Sequence, residues 1–239
     1  MRPQLLTWDV KGTLLCVRRS VGELYSSEAK LHGLQLEARA LDRSFQAALQ
    51  MQDKQFPNYG RGRGLTSQQW WVDVVKKTFC FCGVSDEQVL SPLAEKLYHQ
   101  FCSAANWEVY GDVQDTLDHC RKIGVSMAVI SNFDRRLEQI LANCNLRQYF
   151  QFVMTSEDAG IAKPDQRIFR AALNLAQVEP RQVMHIGDDI RMDYLAARAV
   201  GMESYLICRG QEEEPCGAKQ LVPRAHILSS LHQLCDLIK

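Results

Sequence analysis

The sequence predicts an α/β fold: a doubly wound parallel sheet with an all-helical segment inserted after its first strand. Three observations predict it. From about residue 112 onward, short apolar runs alternate with stretches of helical period, the pattern of a parallel sheet covered by helices on both faces. An apolar run at 5–10 supplies a first strand far ahead of that repeat. Between the two, residues 17–107 show helical periodicity and no convincing strand. The boundaries follow directly: an α/β core from 1–16 and 108–239, and a helical insert, or cap, at 17–107. At 239 residues the chain is long enough for one large domain carrying such an insert.

The elements can be justified in order. Leu5-Leu6-Thr7-Trp8 opens the first strand almost at once. The insert reads as four helices, at about 21–32, 38–52, 67–80 and 86–104, with Thr66 placed to cap the third. A loop, Tyr59-Gly-Arg-Gly-Arg-Gly64, divides them. Asp112 to Lys122 has Val113, Leu117 and Cys120 at helical spacing, and Gly124 closes that helix. Val125 to Ile130 is a nearly continuous apolar run, as a buried parallel strand should be. Arg135 to Asn143 reads as a helix and Phe152-Val153-Met154 as a strand. Pro164 is expected to open the next helix, through Ile168, Phe169, Ala172 and Leu175. Gln182 to Ile186 follows as a strand, Ile190 to Val200 as a helix ended by Gly201, and Ser204 to Cys208 as a strand. Leu228 to Ile238 reads as a closing helix, and Glu212-Glu213-Glu214 beside Pro215 as a solvated loop.

Composition excludes several roles. Basic and acidic side chains balance at 28 each. The insert holds 11 basic and 9 acidic residues and the remainder 17 and 19, so neither part is a nucleic-acid-binding surface by charge. No run approaches the ~18 apolar residues of a membrane span. The first strand starts too early to leave room for a signal peptide. Nine cysteines are scattered, odd in number, and Cys80-x-Cys82 lacks zinc-site spacing. They read as reduced thiols in a reducing compartment, with the cytoplasm expected.

In a parallel sheet, functional groups gather beyond the carboxyl ends of the strands. Those positions hold Asp9, Lys11, Gly12 and Thr13, then Ser131, Asn132 and Asp134. Lys163, Pro164 and Asp165 follow, then Gly187, Asp188, Asp189 and, one turn on, Asp193. Carboxylates, a hydroxyl and a lysine thus converge from four segments. Phosphoryl transfer needs such a set: a nucleophile, a divalent cation, and donors for the phosphate oxygens. Hard carboxylate oxygens without clustered His or Cys favour Mg²⁺ over zinc. His185, at the end of an apolar strand, reads as a packed histidine rather than a catalytic one. Trp70, Trp71 and Trp107 are expected in packing between cap and core, and Arg61 and Arg63 on an ordinary surface loop.

Four pieces in order, Asp9-Val-Lys-Gly-Thr-Leu14, Val129-Ile-Ser-Asn132, Lys163-Pro-Asp165 with Ile168-Phe169, and Gly187-Asp-Asp-Ile-Arg-Met-Asp193 with Ala196-Ala-Arg-Ala-Val-Gly-Met202, carry a resemblance. Together they resemble the haloacid dehalogenase-like hydrolase superfamily over nearly the whole chain. The resemblance implies a Rossmann-like core under a helical cap, and phosphate-ester hydrolysis through an aspartyl-phosphate. It implies Asp9 as nucleophile and Mg²⁺ ligand, with Ser131, beside Asn132, bonding the phosphoryl oxygens. Lys163 would hold Asp9 and the phosphoryl group together. Asp188 would bind Mg²⁺ directly and Asp193 through water or through Lys163, with Asp189 between them as a further candidate. A small phosphorylated molecule is the implied partner.

Position 11 departs from that pattern. The family's phosphatases carry a second aspartate there, giving Mg²⁺ its backbone carbonyl and the reaction its side chain as acid and base. Lys11 keeps the carbonyl and loses the carboxylate. Acid–base catalysis is worth roughly 10²–10⁴ in rate, and an ammonium also repels the metal. Protonated Lys11 can donate to a leaving oxygen or pair with Asp9. Two principal readings result: a Mg²⁺-dependent phosphohydrolase of low or narrow activity, or a degenerate member that binds a phosphorylated ligand or protein partner without turnover. Halide displacement from a 2-haloacid is a third, disfavoured by the acidic motif around Asp188.

Overall fold

The computed structural model describes residues 2–210 and 221–238. The chain divides into two compact units, one of Met1–Cys16 with Glu108–Lys239 and one of Val17–Trp107.

The first unit is built on a six-stranded parallel sheet. Its strands are β1 (Leu5–Trp8), β4 (Ser126–Ser131), β5 (Val153–Thr155), β6 (Val183–Gly187), β7 (Glu203–Ile207) and β8 (Ile227–Leu228), in the order β5-β4-β1-β6-β7-β8. β2 (Leu15–Val17) and β3 (Trp107–Val109) form a separate two-stranded ribbon where the chain leaves and re-enters this unit. β1 is central: Leu5–Trp8 register with Ser126–Val129 on one side and with Val183–Ile186 on the other. The winding reverses at β1, which opens a crevice at the carboxyl ends of β1, β4 and β6.

Every residue of β1 and β6 is buried, which explains their near-continuous apolar runs. α5 (Val113–Lys122), α6 (Arg136–Asn143), the short α7 (Ser156–Ala159), α8 (Gln166–Ala176) and α9 (Ala196–Arg198) connect the strands, and α10 (His232–Leu237) closes the chain. α8 buries Ile168, Phe169, Ala172 and Leu173, one face of a 3.6-residue period, in a cluster with Leu5, Ala128, Ile130 and Val183. Burying a side chain such as Phe169 stabilises by about 1.5–3 kcal/mol.

Three local expectations change. Pro164 does not open α8: it lies in a cis Lys163–Pro164 peptide, and Asp165 is the cap, its carboxylate accepting from Arg167 N–H at 2.9 Å. The segment after β6 is not a plain α-helix. Its first part, Ile190–Leu195, is π-helical, with the Tyr194 N–H reaching back five residues to the Asp189 carbonyl. The final predicted helix is split, because Ile227 and Leu228 pair with β7 and the helix starts only at His232. Ser230 Oγ accepts from the His232 N–H at that start.

Between the ribbon strands the second unit carries four α-helices joined by loops: α1 (Val21–Leu31), α2 (Ala38–Gln55), α3 (Ser67–Phe81) and α4 (Glu87–Gln100). Ser20 with Glu23 and Thr66 with Gln69 form capping boxes, and Asp86 caps α4. The helices share a core of Tyr25, Leu41, Phe45, Trp70, Val74, Phe79, Leu90 and Leu93. Trp70 belongs to this internal core and donates its indole N–H to the Phe56 carbonyl, so it packs within the insert. Trp71 packs at the edge of the same cluster, and the buried Trp107 donates to the Phe101 carbonyl. Arg61 and Arg63 are exposed. Among the described residues no helix is long and apolar enough to cross a membrane, and the eight described cysteines are free thiols. The acidic run at 212–214 lies outside the described residues.

Candidate active site

Asp9 stands one residue past β1, its N–H bonded to the Ile186 carbonyl of β6 at 2.9 Å. The turn after it folds back on itself, with the Thr13, Leu14 and Leu15 N–H groups all donating to the Val10 carbonyl. Gly12 makes this turn with φ +87°, and any Cβ there would come 2.2 Å from Asp188 Oδ2. The close approach of Asp188 therefore requires glycine. Gly187 has the same logic: a Cβ would lie 2.1 Å from Asp193 Cγ.

Asp9, Lys163 and Asp193 form one buried network. Lys163 Nζ donates to Asp9 Oδ1 at 2.7 Å and to Asp193 Oδ1 at 2.5 Å, and Ser131 Oγ donates to Asp9 Oδ1 at 3.0 Å. Burial pushes the Asp9 carboxyl above its ordinary range, and Asp193 adds to that push against the counter-pull of Lys163. Burial would raise Asp193 too, but the Lys163 ammonium and the His185 ring outweigh it and hold that carboxyl well below the carboxylate range. Burial likewise opposes the charge on Lys163, and the two carboxylates overcome it, holding the ammonium above the ordinary lysine range. One cation thus sits between two anions in a site with little water.

Asp188 completes the acidic group. Its residue is exposed, yet its carboxylate lies against Gly12 and accepts from Thr13 Oγ1 at 3.3 Å. Desolvation of that inward-facing group, then Asp9 and Asp193, push it up to about 7. Asp9, Asp188 and Asp193 each bring one oxygen within 4.8 Å of the others. This all-carboxylate donor set suits a hard divalent cation. Asp193 is occupied by other donors: Oδ1 by Lys163 and His185, Oδ2 by the Asp189 N–H at 3.1 Å. Asp9 Oδ2 takes no hydrogen bond among the described residues.

The remaining candidates separate. The Asn132 amide binds the backbone of Lys163, Nδ2 to O at 2.9 Å and Oδ1 from N at 2.7 Å. Asp189 is a cap: its Oδ1 accepts from the Arg191 and Met192 N–H groups, and it stands outside the three-carboxylate cluster. Asp134 is fully buried in an ion pair with Arg136 at 2.7 Å. Lys11 is exposed, and no ion pair joins it to Asp9, whose cation is Lys163. Pairing between Lys11 and Asp9 is therefore not how the Asp9 charge is balanced here.

Sequence reading missed the part played by His185. It is fully buried, and its Nε2 lies 3.0 Å from Asp193 Oδ1 while its Nδ1 lies 2.9 Å from Thr7 Oγ1. An ionised Asp193 only accepts, so Nε2 carries the proton it donates, and the Thr7 hydroxyl can donate to Nδ1. Thr7 and His185 are register partners across β1 and β6. Only that pairing could have revealed the contact.

Comparison with known proteins agrees with this architecture. The family model described as haloacid dehalogenase-like hydrolase matches residues 3–201. The chain is 52% identical over 231 residues to the Bos taurus haloacid dehalogenase-like hydrolase domain-containing protein 3, covering 97% of this chain and 92% of that one. Among solved structures it resembles a 2-haloacid dehalogenase from Pseudomonas syringae pv. Tomato DC3000, with TM-score 0.68, 22% identity and coverage of 99% and 98% of the two chains. It also resembles a HAD phosphatase from Thermococcus onnurineus, with TM-score 0.65, 19% identity and coverage of 98% and 97%. At those identities the structural likeness is one of fold. The family match and the close relative, joined to an α/β core with four converging motif segments, place this chain in the haloacid dehalogenase-like hydrolase family.

Proposed function

We propose that the chain is a phosphohydrolase of low or narrow activity, cleaving a small phosphate ester through an aspartyl-phosphate on Asp9. The observation that supports it most is the state of Asp9. Oδ1 is fixed by Ser131 and Lys163, while Oδ2 carries no hydrogen bond among the described residues. A carboxylate held by one oxygen and open at the other is positioned for attack before substrate arrives.

Asp9 and Asp188 would hold Mg²⁺ directly, with the Lys11 carbonyl, and Asp193 would reach it through water because its own oxygens are engaged. The ion supplies charge neutralisation at the phosphoryl oxygens. Lys163 puts a fixed positive charge beside the oxygens where negative charge grows, and Ser131 adds a hydroxyl donor. Attack by Asp9 on phosphorus breaks the ester bond, and the leaving alkoxide takes a proton, which the Lys11 ammonium can give. The second step needs a base to activate water; position 11 carries no carboxylate, and an exposed amine that has given up its proton takes another from solvent before it can act as one. Hydrolysis of the aspartyl-phosphate is therefore the slow step, reduced by roughly 10²–10⁴ relative to a site with aspartate at position 11.

A second reading is favoured by one observation, the exposed Lys11 where an acid–base group would stand. Under it the site binds a phosphorylated ligand or protein partner and turns nothing over. A phosphate-ester panel with Mg²⁺ or EDTA, run on wild type, Asp9→Asn and Lys11→Asp, tests both. Metal-dependent hydrolysis that Asp9→Asn abolishes and Lys11→Asp raises is the expected outcome. An inert wild type that gains activity in Lys11→Asp defeats the active-phosphatase reading in favour of the binding one. Activity persisting in Asp9→Asn defeats the chemistry assigned to Asp9.

A further inference from the structure

We infer that Arg209 is a positioning residue for the nucleophile turn, acting through the Thr13 carbonyl. Arg209 follows β7, outside all four motif segments. Its Nη2 donates to the Thr13 carbonyl at 2.6 Å, and its Nη1 lies 2.7 Å from both Asp112 carboxylate oxygens. The guanidinium also lies 4.2 Å from the centre of the Tyr110 ring. Asp112 is itself fixed from a third direction, accepting from Ser230 Oγ and from the Leu231 N–H, each at 2.8 Å.

The direction of control follows from what Thr13 touches. Thr13 is fully buried, so its carbonyl needs a donor. Other groups of this turn are already bonded: three N–H groups converge on the Val10 carbonyl, the Gly12 N–H reaches the Leu15 carbonyl, and the Leu14 carbonyl takes the Tyr110 N–H at 3.2 Å. The Thr13 side chain bonds Asp188 Oδ1, and the turn begins at Asp9. Beside the Tyr110 N–H on Leu14, the Arg209 guanidinium therefore anchors, at the Thr13 carbonyl, the far end of a turn whose near end carries the nucleophile and whose hydroxyl holds Asp188. The planar fork matters, because one guanidinium must reach the carboxylate and the carbonyl at once; an ammonium is a point donor. Tyr110 covers the guanidinium face and limits its tilt.

The consequence for turnover rests on the phosphohydrolase reading; the consequence for the turn does not. Hydrogen exchange followed by mass spectrometry, on wild type, Arg209→Lys and Arg209→Ala, needs no activity. Exchange at 9–15 should rise by about tenfold or more in both variants, with β4 and β6 keeping wild-type protection. Guanidinium ion well below unfolding concentrations should restore protection in Arg209→Ala but not in wild type controls, which have none to regain. Unchanged exchange at 9–15 overturns the inference, and so does acceleration spread evenly over the sheet, which marks a general fold residue. Should Arg209→Ala fail to fold, Arg209→Lys alone decides by the same criteria. Where wild type hydrolyses a phosphate ester, Arg209→Lys should lower kcat by about tenfold or more with KM nearly unchanged, as displaced reacting groups do. A loosened turn with wild-type kcat overturns the positioning role. An inert wild type defeats the functional reading alone and leaves the exchange result to decide this one.

Discussion

Asn132 grips Lys163 by both ends of its backbone, donating Nδ2–H to the carbonyl and accepting the N–H at Oδ1. The amide of a residue at the end of one strand thus fixes the main chain from which the central ammonium is aimed. Asn132→Ala removes both bonds. At about 0.5–1.5 kcal/mol each, the expected loss is about 1–3 kcal/mol. Asn132→Asp keeps only the acceptor and should fall between. Urea denaturation measures both, and an alanine variant as stable as wild type means the grip contributes nothing.

Lys163 is the sole cation bonded to both Asp9 and Asp193 among the described residues. Lys163→Met leaves two carboxylates buried without it, and breaking such a pair costs about 3–5 kcal/mol at neutral pH. Removing one charge as well, in Lys163→Met with Asp9→Asn, should recover part of that loss. The comparison is again one of unfolding midpoints. A double variant weaker than the single one would show that the charge imbalance is not the cause.

His185→Phe keeps an aromatic ring, somewhat larger, beside Phe169, against which His185 packs edge-on, but leaves Thr7 Oγ1 and Asp193 Oδ1 each without its ring partner. The expected cost is about 1–3 kcal/mol. His185→Gln can still offer one N–H donor and should lose less. Equal losses for the two would point to ring packing rather than hydrogen bonding.

Asp112 provides a pH test away from the carboxylate cluster. Burial alone would raise its carboxyl, but Arg209, the Leu231 N–H and Ser230 hold it below its ordinary value of 3.8. A carboxyl with a depressed folded pKa contributes stability that is complete above the unfolded value. That contribution is lost as pH falls through the folded one. The gap between wild type and Asp112→Asn should therefore be constant at neutral pH and shrink below about pH 4. Denaturation curves from pH 7 to the acid limit check it; a gap that widens in acid contradicts the sign.

The fold class was legible because burial on both faces writes parallel strands as apolar runs, and glycine marks the helix ends. The two halves of β1's neighbourhood, β4 and β6, stand out for that reason. The ribbon strands β2 and β3 were not legible, three residues each being too few to show a period; β5, equally short, was read from its apolar run alone. The π-helical turn after Asp189 leaves no compositional mark, since only the backbone offset differs. Leu228 misled because an apolar residue next to a helix looks like its first turn, whereas sheet pairing claims it. Within the candidate site, Asp9 and Asp188 could be picked out by their place after strands, Asp193 one turn further on, and Lys163 by its place before the next helix. The Thr7–His185 and Thr13–Arg209 contacts could not, because each depends on register or on packing between residues 178 and 196 positions apart.

The strand order carries a consequence for how the molecule assembles. Asp9 meets Ser131 across 122 positions and Lys163 across 154 on the β4 side, while Asp193 comes from beyond β6 on the other, so both wings of the sheet must dock on β1 before the group is whole. Closing loops of that length costs entropy that local helices never incur. During refolding the helical signal should return first, with Asp9, Lys163 and Asp193 among the last groups to find each other. Recovery of ligand binding then becomes a clock for the finished sheet rather than for the folded helices, and a chain halted with one wing undocked would look largely native by circular dichroism while having no site at all.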